Sequence, residues 1–123
     1  EGHHAWFAKR LADPGGSVML LAWDGDVLAG QVRFEVTGDV ATVSISVAAS
    51  YRGLGLGRHL LQSAIREFSR AVPKARTLVA HIRAENESSR QLFECVGFLL
   101  EGAHARDVGD GSALEYRRAV IVE

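Results

Sequence analysis

The sequence predicts a mixed α/β (α+β) fold in which a mostly antiparallel sheet is flanked by helices. Three observations support this fold class. Apolar residues alternate with polar ones in short segments between residues 18 and 47. A glycine-rich turn at residues 52–57 joins the last of these segments to a stretch with apolar residues at helical spacing. A strand-like segment, a short helix-like segment and two more strand-like segments then follow.

Length and composition favour one soluble domain over residues 1–123. The 123 residues are 47% hydrophobic and 24% charged, which is typical of a globular domain with a buried core. The net charge of −1 argues against nucleic acid or an anionic membrane as a partner, and the apolar runs are too short to cross a bilayer. The single cysteine excludes an internal disulfide, so we expect a cytoplasmic protein. Because the chain begins at Glu1, we expect a trimmed chain or a domain cut from a longer polypeptide.

The first half is predicted to form a helix and a three-stranded meander. Helical spacing of apolar residues predicts a helix over Glu1–Ala12. The adjacent His3 and His4 do not share a helix face and have no acidic or cysteine partner nearby, so no metal site is predicted. Short glycine-containing turns join the three strands into an antiparallel meander. The predicted strands are Val18–Trp23, Val27–Val36 and Val40–Val47.

The second half is predicted to alternate helices with strands. The helix after the glycine turn runs to about Ala71, before Pro73, and its apolar stripe is Leu56, Leu60, Leu61, Ala64, Ile65 and Phe68. A shorter helix is capped by Asn86 and ends at Gly97. The remaining predicted elements are strands Thr77–Ile82, Phe98–Glu101 and Ala113–Val122, with a loop over residues 102–112.

The turn Arg52-Gly53-Leu54-Gly55-Leu56-Gly57 has the properties of a pyrophosphate-binding loop. Glycines at the start of a helix leave backbone N–H groups uncovered, and such groups bind phosphate. The spacing G-x-G-x-G differs from the dinucleotide fingerprint G-x-G-x-x-G, and no Gly-Lys-Ser/Thr of a P-loop follows. A glycine-rich loop that only makes a tight turn is the alternative.

The pattern Arg-x-x-Gly-x-Gly, held by Arg52, Gly55 and Gly57, resembles the acetyl-CoA motif of the GNAT superfamily of N-acetyltransferases. A second block, Asn86–Phe98, resembles the family's Asn, small residue, aromatic and Gly-Phe pattern. The resemblance covers about Val18–Phe98 and extends loosely to Val122. It implies acetyl-CoA as cosubstrate and a primary amine as acceptor.

The resemblance also implies where the cofactor binds. Ile45 and Val47 would pair with the pantetheine arm, and the Val47 N–H would hold the thioester carbonyl. Asn86 would reach the pantetheine, and Ser89 and Phe93 would line the thiol end. The pyrophosphate would be framed by Arg52, Gly53, Leu54, Gly55, Gly57 and Arg58.

The chain departs from the family pattern at two points. The family usually begins with a strand and a helix that are missing before the helix predicted at residues 1–12, so we expect a sheet without its first edge strand. Many relatives have a tyrosine, proposed to protonate the leaving thiolate, where this chain has Phe93. Tyr116, Cys95 or water would then be the proton donor. We expect Cys95 to lie in the core rather than to act as a nucleophile.

Acetyl transfer also needs a base for the amine. Glu35 is our first candidate, directly or through water, because it lies inside the second and third strands on the face opposite Phe34. A solvated strand-face carboxylate is the alternative, and His81 is the second candidate base. Val47, Glu35, His81 and Tyr116 therefore form the predicted catalytic set.

The acceptor is not fixed by the sequence. The opening helix with His4, Trp6 and Phe7, and the strand at residues 31–35, resemble relatives that act on amino groups of nucleotide-linked sugars. Trp6, His3 and His4 would shape the acceptor pocket, and an ordinary surface or core helix is the alternative for them. Protein N-terminal amines and polyamines remain alternatives, and a homodimer or a fusion to another enzyme is compatible with the pattern. A non-catalytic acyl-CoA-binding sensor or structural module is the alternative function, favoured by the missing tyrosine and first strand.

Overall fold

Four strands precede the first helix in this computed structural model, which describes residues 6–12, 17–53, 55–101, 106–108 and 111–120. The elements in chain order are β1 (Trp6–Ala12), β2 (Val18–Asp24), β3 (Val27–Thr37), β4 (Val40–Val47), α1 (Leu56–Ala71), β5 (Thr77–Arg83), α2 (Glu87–Cys95), β6 (Leu99–Leu100), β7 (Arg106–Val108) and β8 (Gly111–Ala119). A short 3-10 turn, Ala49–Tyr51, joins β4 to the glycine loop.

The strands form one sheet in the order β1-β2-β3-β4-β5-β8-β6, with β7 also paired to β8. The β4–β5 pair is parallel, and the other described pairs are antiparallel. The predicted mixed, mostly antiparallel sheet with helices packed on it is therefore confirmed.

The helix predicted over Glu1–Ala12 is wrong for residues 6–12, which form β1. This strand pairs antiparallel with β2 from Trp6↔Asp24 to Ala12↔Val18. An unpaired β2 would leave a row of backbone N–H and C=O groups at a sheet edge, and pairing satisfies them. That demand overrides the weak helical spacing of the apolar residues. β1 therefore forms an edge strand where we expected the sheet to lack its first strand. Residues 1–5 lie outside the described residues.

The meander β2–β3–β4 is confirmed, and its ends differ from the predicted ends by a residue. Gly25 and Gly38 lie in the two tight turns with φ of 63° each, a backbone conformation that favours glycine. The register of β3 and β4 runs from Gly30↔Val47 to Thr37↔Val40. Side chains on the two strands are therefore in direct cross-strand contact along their whole length.

The C-terminal strands are less accurately predicted. β8 spans Gly111–Ala119 rather than Ala113–Val122, and β6 is reduced to Leu99–Leu100. The predicted loop contains β7, which pairs with the start of β8. Backbone pairing in this hairpin requires no apolar alternation, so the polar, glycine-rich sequence gave no strand signal.

The core lies between the sheet and its two helices. All six residues of the predicted α1 stripe are buried. Phe68 of this stripe stacks on Phe34 with ring centroids 4.2 Å apart. Gly30 allows α1 to approach β3, because a Cβ there would lie 2.8 Å from Leu60 Cδ2 and 3.0 Å from the Ser46 carbonyl oxygen. We call this side of the sheet the helix face.

Side chains that alternate with the core residues point to the other side, which we call the polar face. On β3 the exposed Arg33 and Glu35 alternate with the buried Val32 and Phe34. The side chains of the polar face used below are Gln31, Arg33, Glu35, Thr42, Ser44, Ser46, Val79, His81, Glu115 and Arg117.

We predict that Gly30→Ala lowers the free energy of unfolding by about 1–3 kcal/mol, because the new methyl group overpacks the α1–β3 contact. Urea unfolding followed by circular dichroism measures the change. Gly57→Ala is the matched control. Its Cβ would meet Leu92 at an ordinary 3.5 Å, and alanine is the better helix former, so this variant should be at least as stable as the parent. Equal stability of Gly30→Ala and the parent would contradict the close approach.

Candidate cofactor-binding and active site

The sheet opens between β4 and β5. These two described strands pair at Val40↔Thr77, Ala41↔Leu78 and Thr42↔Val79, and their pairing stops there. β4 nevertheless continues to Val47 and β5 continues to Arg83. The strands therefore separate beyond Thr42, and backbone groups of β4 face the opening without a strand partner.

Two hydrogen bonds show which β4 groups face the opening. The Ala48 N–H donates to the Ala29 carbonyl at 2.8 Å, toward β3. Because successive backbone groups alternate in direction along a strand, the N–H and C=O of Val47 and Ile45 point the opposite way. Arg52 Nε donates to the Val47 carbonyl oxygen at 3.0 Å, which confirms this direction for Val47. An extended ligand with amide groups has here the hydrogen-bonding edge that a strand would offer.

The glycine loop lies between the end of β4 and the start of α1. Gly53 and Gly55 have φ of 78° and 77°, and a Cβ at either residue would meet nothing within 4 Å. Glycine is therefore favoured at these two positions by the left-handed backbone conformation and not by a lack of space for a Cβ. Gly55 is the N-cap of α1 and has no side chain to cover the first N–H groups of the helix. An anion at this position would be held by these groups. Leu54 lies outside the described residues.

A hydrogen bond ties this loop to the meander. Tyr51 Oη donates to Asp24 Oδ2 at 2.6 Å. The bond to Asp24, and then burial and the negative charge of Asp24, raise the pKa of Tyr51. The phenol therefore remains a donor throughout the neutral range, and the turn at residues 49–51 is anchored to the β2–β3 turn.

The start of α2 forms the opposite wall of the opening. Asn86 Oδ1 accepts the Ser89 N–H at 3.2 Å, which confirms the predicted helix cap. Ser88 Oγ donates to the same oxygen at 3.2 Å. The cap therefore holds the Asn86 side chain at the wall of the opening and fixes the first turn of α2.

A cavity of about 420 Å³ connects the sheet opening with the glycine loop. Its lining residues are Ile45, Ser46, Val47, Arg52, Gly53, Gly57, Asn86, Ser88, Ser89 and Leu92. The cavity thus brings together β4, the glycine loop and α2. Both sequence blocks of the predicted cofactor site contribute to the same cavity.

Comparison with known proteins gives the same assignment. The sequence model of the Acetyltransferase (GNAT) family matches residues 1–98. The chain belongs to this family. GNAT acetyltransferases use acetyl-CoA as the acetyl donor, so the predicted cosubstrate is confirmed at family level.

Individual relatives agree with the family match. An uncharacterized N-acetyltransferase, YfmK of Bacillus subtilis, is 30% identical over 104 residues, which are 85% of this chain and 68% of that protein. The chain spans 41% and 29% of two further curated relatives.

Solved structures show the same fold. An acetyltransferase of the GNAT family from Streptococcus pneumoniae superposes with a TM-score of 0.73 at 23% identity, covering 85% of this chain and 66% of that one. Spermidine N-acetyltransferase from Vibrio cholerae, solved with CoA and spermine, gives 0.74 at 20% identity over the same shares. At these identities the likeness concerns the fold alone.

The GNAT cofactor residues predicted from the sequence lie together, with three exceptions among the described residues. Gly55 and Arg58 are exposed beside the cavity and do not line it. Phe93 is 3% exposed and contacts Phe98 edge-on with ring centroids 4.9 Å apart, so it lies in the core rather than at the cavity wall. Neighbouring residues on a helix point about 100° apart, and here Leu92 rather than Phe93 faces the cavity.

Two other residues also differ from expectation. Cys95, expected in the core, is exposed on α2. Tyr116 is fully buried, and its hydroxyl donates to Glu94 Oε2 at 3.0 Å while accepting from Arg90 Nε at 3.1 Å. Tyr116 does not line the cavity. A buried phenol whose proton is already donated to a carboxylate is a poor candidate for the general acid.

The two candidate bases lie at different levels of the polar face. Glu35 pairs with Thr42 at the closed end of the opening and lies 3.7 Å from Arg33. From Thr42 to Val47 the strand extends about 16 Å, so the structure separates Glu35 from the predicted carbonyl-binding group of Val47. His81 lies two residues beyond Val79 on β5, at a level where β4 and β5 no longer pair. Neither candidate base is among the residues that line the cavity.

His81 has a charged neighbour across the β5–β8 pair. Its Nε2 lies 3.4 Å from Glu115 Oε1, and Arg117 Nε lies 2.8 Å from Glu115 Oε2. The hydrogen bond from Arg117, joined by that from His81, holds the pKa of Glu115 below its usual range against the opposing effect of burial. Glu115 was not predicted from the sequence, because cross-strand neighbours 34 residues apart become visible only with the register.

Residues proposed to shape the acceptor pocket are only partly described. His3 and His4 lie outside the described residues, and only the backbone is described for Trp6 and Phe7. Among the helices described, none combines the length and apolar character that a membrane crossing requires.

We predict that Gly57→Val weakens CoA binding at least tenfold, about 1.4 kcal/mol, because a branched side chain at this cavity-lining residue competes with the cofactor. Isothermal titration with CoA measures the affinity. Gln62→Val, at an exposed position of the same helix, is the control for the lower helix propensity of valine. Unchanged affinity in Gly57→Val would exclude this cavity as the cofactor site.

We predict that Phe93→Tyr destabilises the fold by about 1–3 kcal/mol, because a new hydroxyl would be buried beside Phe98 without a partner. Thermal melting with and without CoA measures the loss. If added CoA restores the lost stability, the side chain at position 93 contacts the bound cofactor, which would contradict its placement in the core.

Proposed function

We propose that this GNAT domain is an N-acetyltransferase that moves the acetyl group of acetyl-CoA directly to a primary amine in a ternary complex. The observation that carries the proposal is the continuous cavity from the glycine loop to the opening between β4 and β5. Phosphate-binding geometry at one end and a free strand edge at the other match the two chemically different halves of CoA. A glycine loop that only makes a tight turn would not require the free strand edge at the other end of the cavity.

The protein's part in binding follows from this arrangement. The N-terminal N–H groups of α1, with Arg52, would hold the pyrophosphate. The amides of the pantetheine arm would pair with Val47, once Arg52 Nε releases the Val47 carbonyl, and Asn86 would face the arm from α2. Ile45 lies two residues deeper in the opening than Val47, and its N–H has the same direction. We therefore assign the thioester carbonyl to the Ile45 N–H in preference to that of Val47.

The reaction requires two proton losses from the ammonium form of the acceptor. A base removes the first proton, and the free nitrogen lone pair attacks the thioester carbon. The carbon–sulfur bond then breaks, the electron pair leaves as the CoA thiolate, and the second proton passes to the thiolate or to water. Holding the reactants together supplies roughly 7–11 kcal/mol of barrier lowering, and one N–H on the oxyanion about 3 kcal/mol.

His81 is the preferred base of the two candidates. It borders the part of the opening where the strands have separated, near the level of Ser44 and Ile45, whereas Glu35 lies at the closed end. A solvated role on the strand surface is the alternative for Glu35, supported by its contact with Arg33.

The acceptor class is proposed from chemistry alone. An amino group on a nucleotide-linked sugar is the specific hypothesis, and protein N-terminal amines and polyamines are its competitors. The polar face carries both charge signs, with Arg33, Arg117 and Glu35 exposed on it, so it offers a polycation such as spermine little net attraction.

The test is release of CoA thiol from acetyl-CoA, measured with a panel containing an amino-sugar nucleotide, a peptide with a free N-terminus and spermine. We expect thiol release with at least one amine. His81→Ala should lower the kcat of thiol release with that amine about 10²–10⁴-fold and leave the affinity for acetyl-CoA unchanged. Glu35→Gln is the matched comparison and should have the smaller effect. Tight acetyl-CoA binding without release to any amine would instead support the acyl-CoA-binding sensor.

A further inference from the structure

Three charged side chains lie in a row on the polar face: His81 on β5, beside the opening, and Glu115 and Arg117 on β8, on the side of β5 away from the opening. His81 and Glu115 are direct cross-strand partners in the antiparallel β5–β8 pair, so their Cβ atoms are held about 5 Å apart by the backbone register. The carboxylate bridges its two neighbours, with Oε1 toward His81 Nε2 at 3.4 Å and Oε2 toward Arg117 Nε at 2.8 Å.

The three side chains differ in exposure. Relative exposure is 37% for the His81 side chain, 45% for Arg117 and only 14% for Glu115 between them. The carboxylate is therefore the least hydrated member, and its field acts on the imidazole with less screening than that of a surface carboxylate.

The contact between His81 Nε2 and Glu115 favours one tautomer of the imidazole. An ionised carboxylate only accepts hydrogen bonds, so in the tautomer that hydrogen-bonds to Glu115 the proton is on Nε2. A neutral His81 then has its lone pair on Nδ1. Because the bonds from the two ring nitrogens diverge, Nδ1 is directed away from Glu115. When Nδ1 takes up a proton, the adjacent negative charge stabilises the imidazolium that forms.

We propose that Glu115 is the positioning residue for the base His81, holding the tautomer whose Nδ1 accepts the first proton of the acceptor ammonium. This inference rests on the proposed function. In the proton transfer, the N–H bond of the acceptor breaks, the Nδ1–H bond forms, and Nε2–H stays on the ring. Arg117 keeps Glu115 ionised, so the carboxylate remains an acceptor well into the acid range.

Other charges near His81 are consistent with this assignment. Among the described side chains, β5 itself contributes Arg83, and β3 contributes Arg33 and Glu35 from the far side of the opening, while β4 presents the neutral Ser44. Arg83 lies 3.2 Å from Glu85, and Arg33 lies 3.7 Å from Glu35. Glu115 is thus the carboxylate that the described contacts place against the imidazole.

Glu115→Gln is the decisive variant, because it keeps the size of the side chain and removes its charge. An amide can donate as well as accept, so both imidazole tautomers become acceptable. We expect kcat to fall about tenfold to a hundredfold, the KM for acetyl-CoA to stay unchanged, and the acid limb of the kcat profile to move to lower pH. Combining it with His81→Ala should cost no more than His81→Ala alone, since the two residues act as one unit.

A second readout does not depend on turnover. Two-bond proton–nitrogen correlation spectra of the full chain, labelled with nitrogen-15 in histidine, should show neutral His81 protonated at Nε2, and a mixture of tautomers in Glu115→Gln. Glu67→Gln removes the same charge from α1, on the other side of the sheet, and should change neither the spectra nor the pH profile.

The outcomes separate the two proposals. If the parent releases thiol with no amine, the proposed function fails, and the spectra decide the state of the imidazole by themselves. If the parent is active but Glu115→Gln has the parent's kcat and pH profile, the function stands and the positioning role is overturned. Protonation of neutral His81 at Nδ1 in the parent would overturn it as well. A melting curve of each variant shows that a loss of activity is not a loss of fold.

Discussion

The separation of β4 from β5 is the constraint on which the rest of this structure depends. A strand inside a sheet normally forms backbone hydrogen bonds with a neighbour on each side. From Val43 onward, β4 does not pair with β5. The separation is stable because the two strands are held by other partners, β4 by β3 on one side and β5 by β8 on the other. α1 packs against β2, β3 and β4 on the helix face of the sheet. The native sheet therefore contains a gap beside the end of β4 in which an extended segment could pair.

The elements around the opening were predictable where local chemistry determines them. The apolar stripe of α1, the Asn86 cap and the glycine turns follow from spacing and capping rules that operate within a few residues. That two separate blocks contribute to one candidate cofactor cavity was predictable for the same reason, since each block is contiguous in the sequence. Of the predicted set, the residues that line the cavity are Ile45, Val47, Arg52, Gly53, Gly57, Asn86 and Ser89.

The errors arise where a distant partner decides the outcome. Residues 6–12 have helical spacing, but the edge of β2 makes them a strand. Phe93 lies in the core and Cys95 is exposed, each contrary to expectation, because packing on the sheet sets the rotation of α2 about its axis. The sequence of a nine-residue helix does not reveal that rotation. The Tyr116 network with Arg90 and Glu94 joins segments more than 20 residues apart. Sequence spacing carries no information about such contacts.

The two candidate bases illustrate the same limit. Glu35 and His81 each occupy the polar face in an alternating strand, and periodicity alone does not distinguish them. The register does, because it places Glu35 opposite the last residues that pair and His81 beside the gap. It also gives His81 a carboxylate neighbour that no motif contains. The register therefore ranks the two candidate bases by where the strand pairing ends, which residue type alone does not do.

The loss of a tyrosine at position 93 is chemically less severe than the family pattern indicates. A thiol ionises near pH 8.5, so a CoA thiolate is a tolerable leaving group close to neutral pH and water suffices to protonate it afterwards. An ammonium acceptor, by contrast, is almost fully protonated at neutral pH, because an alkyl amine ionises near pH 10. The larger demand is therefore for a base and not for an acid. This chain places an imidazole beside the opening, with a carboxylate on the adjacent strand β8, and the aromatic ring of Phe93 packs in the core.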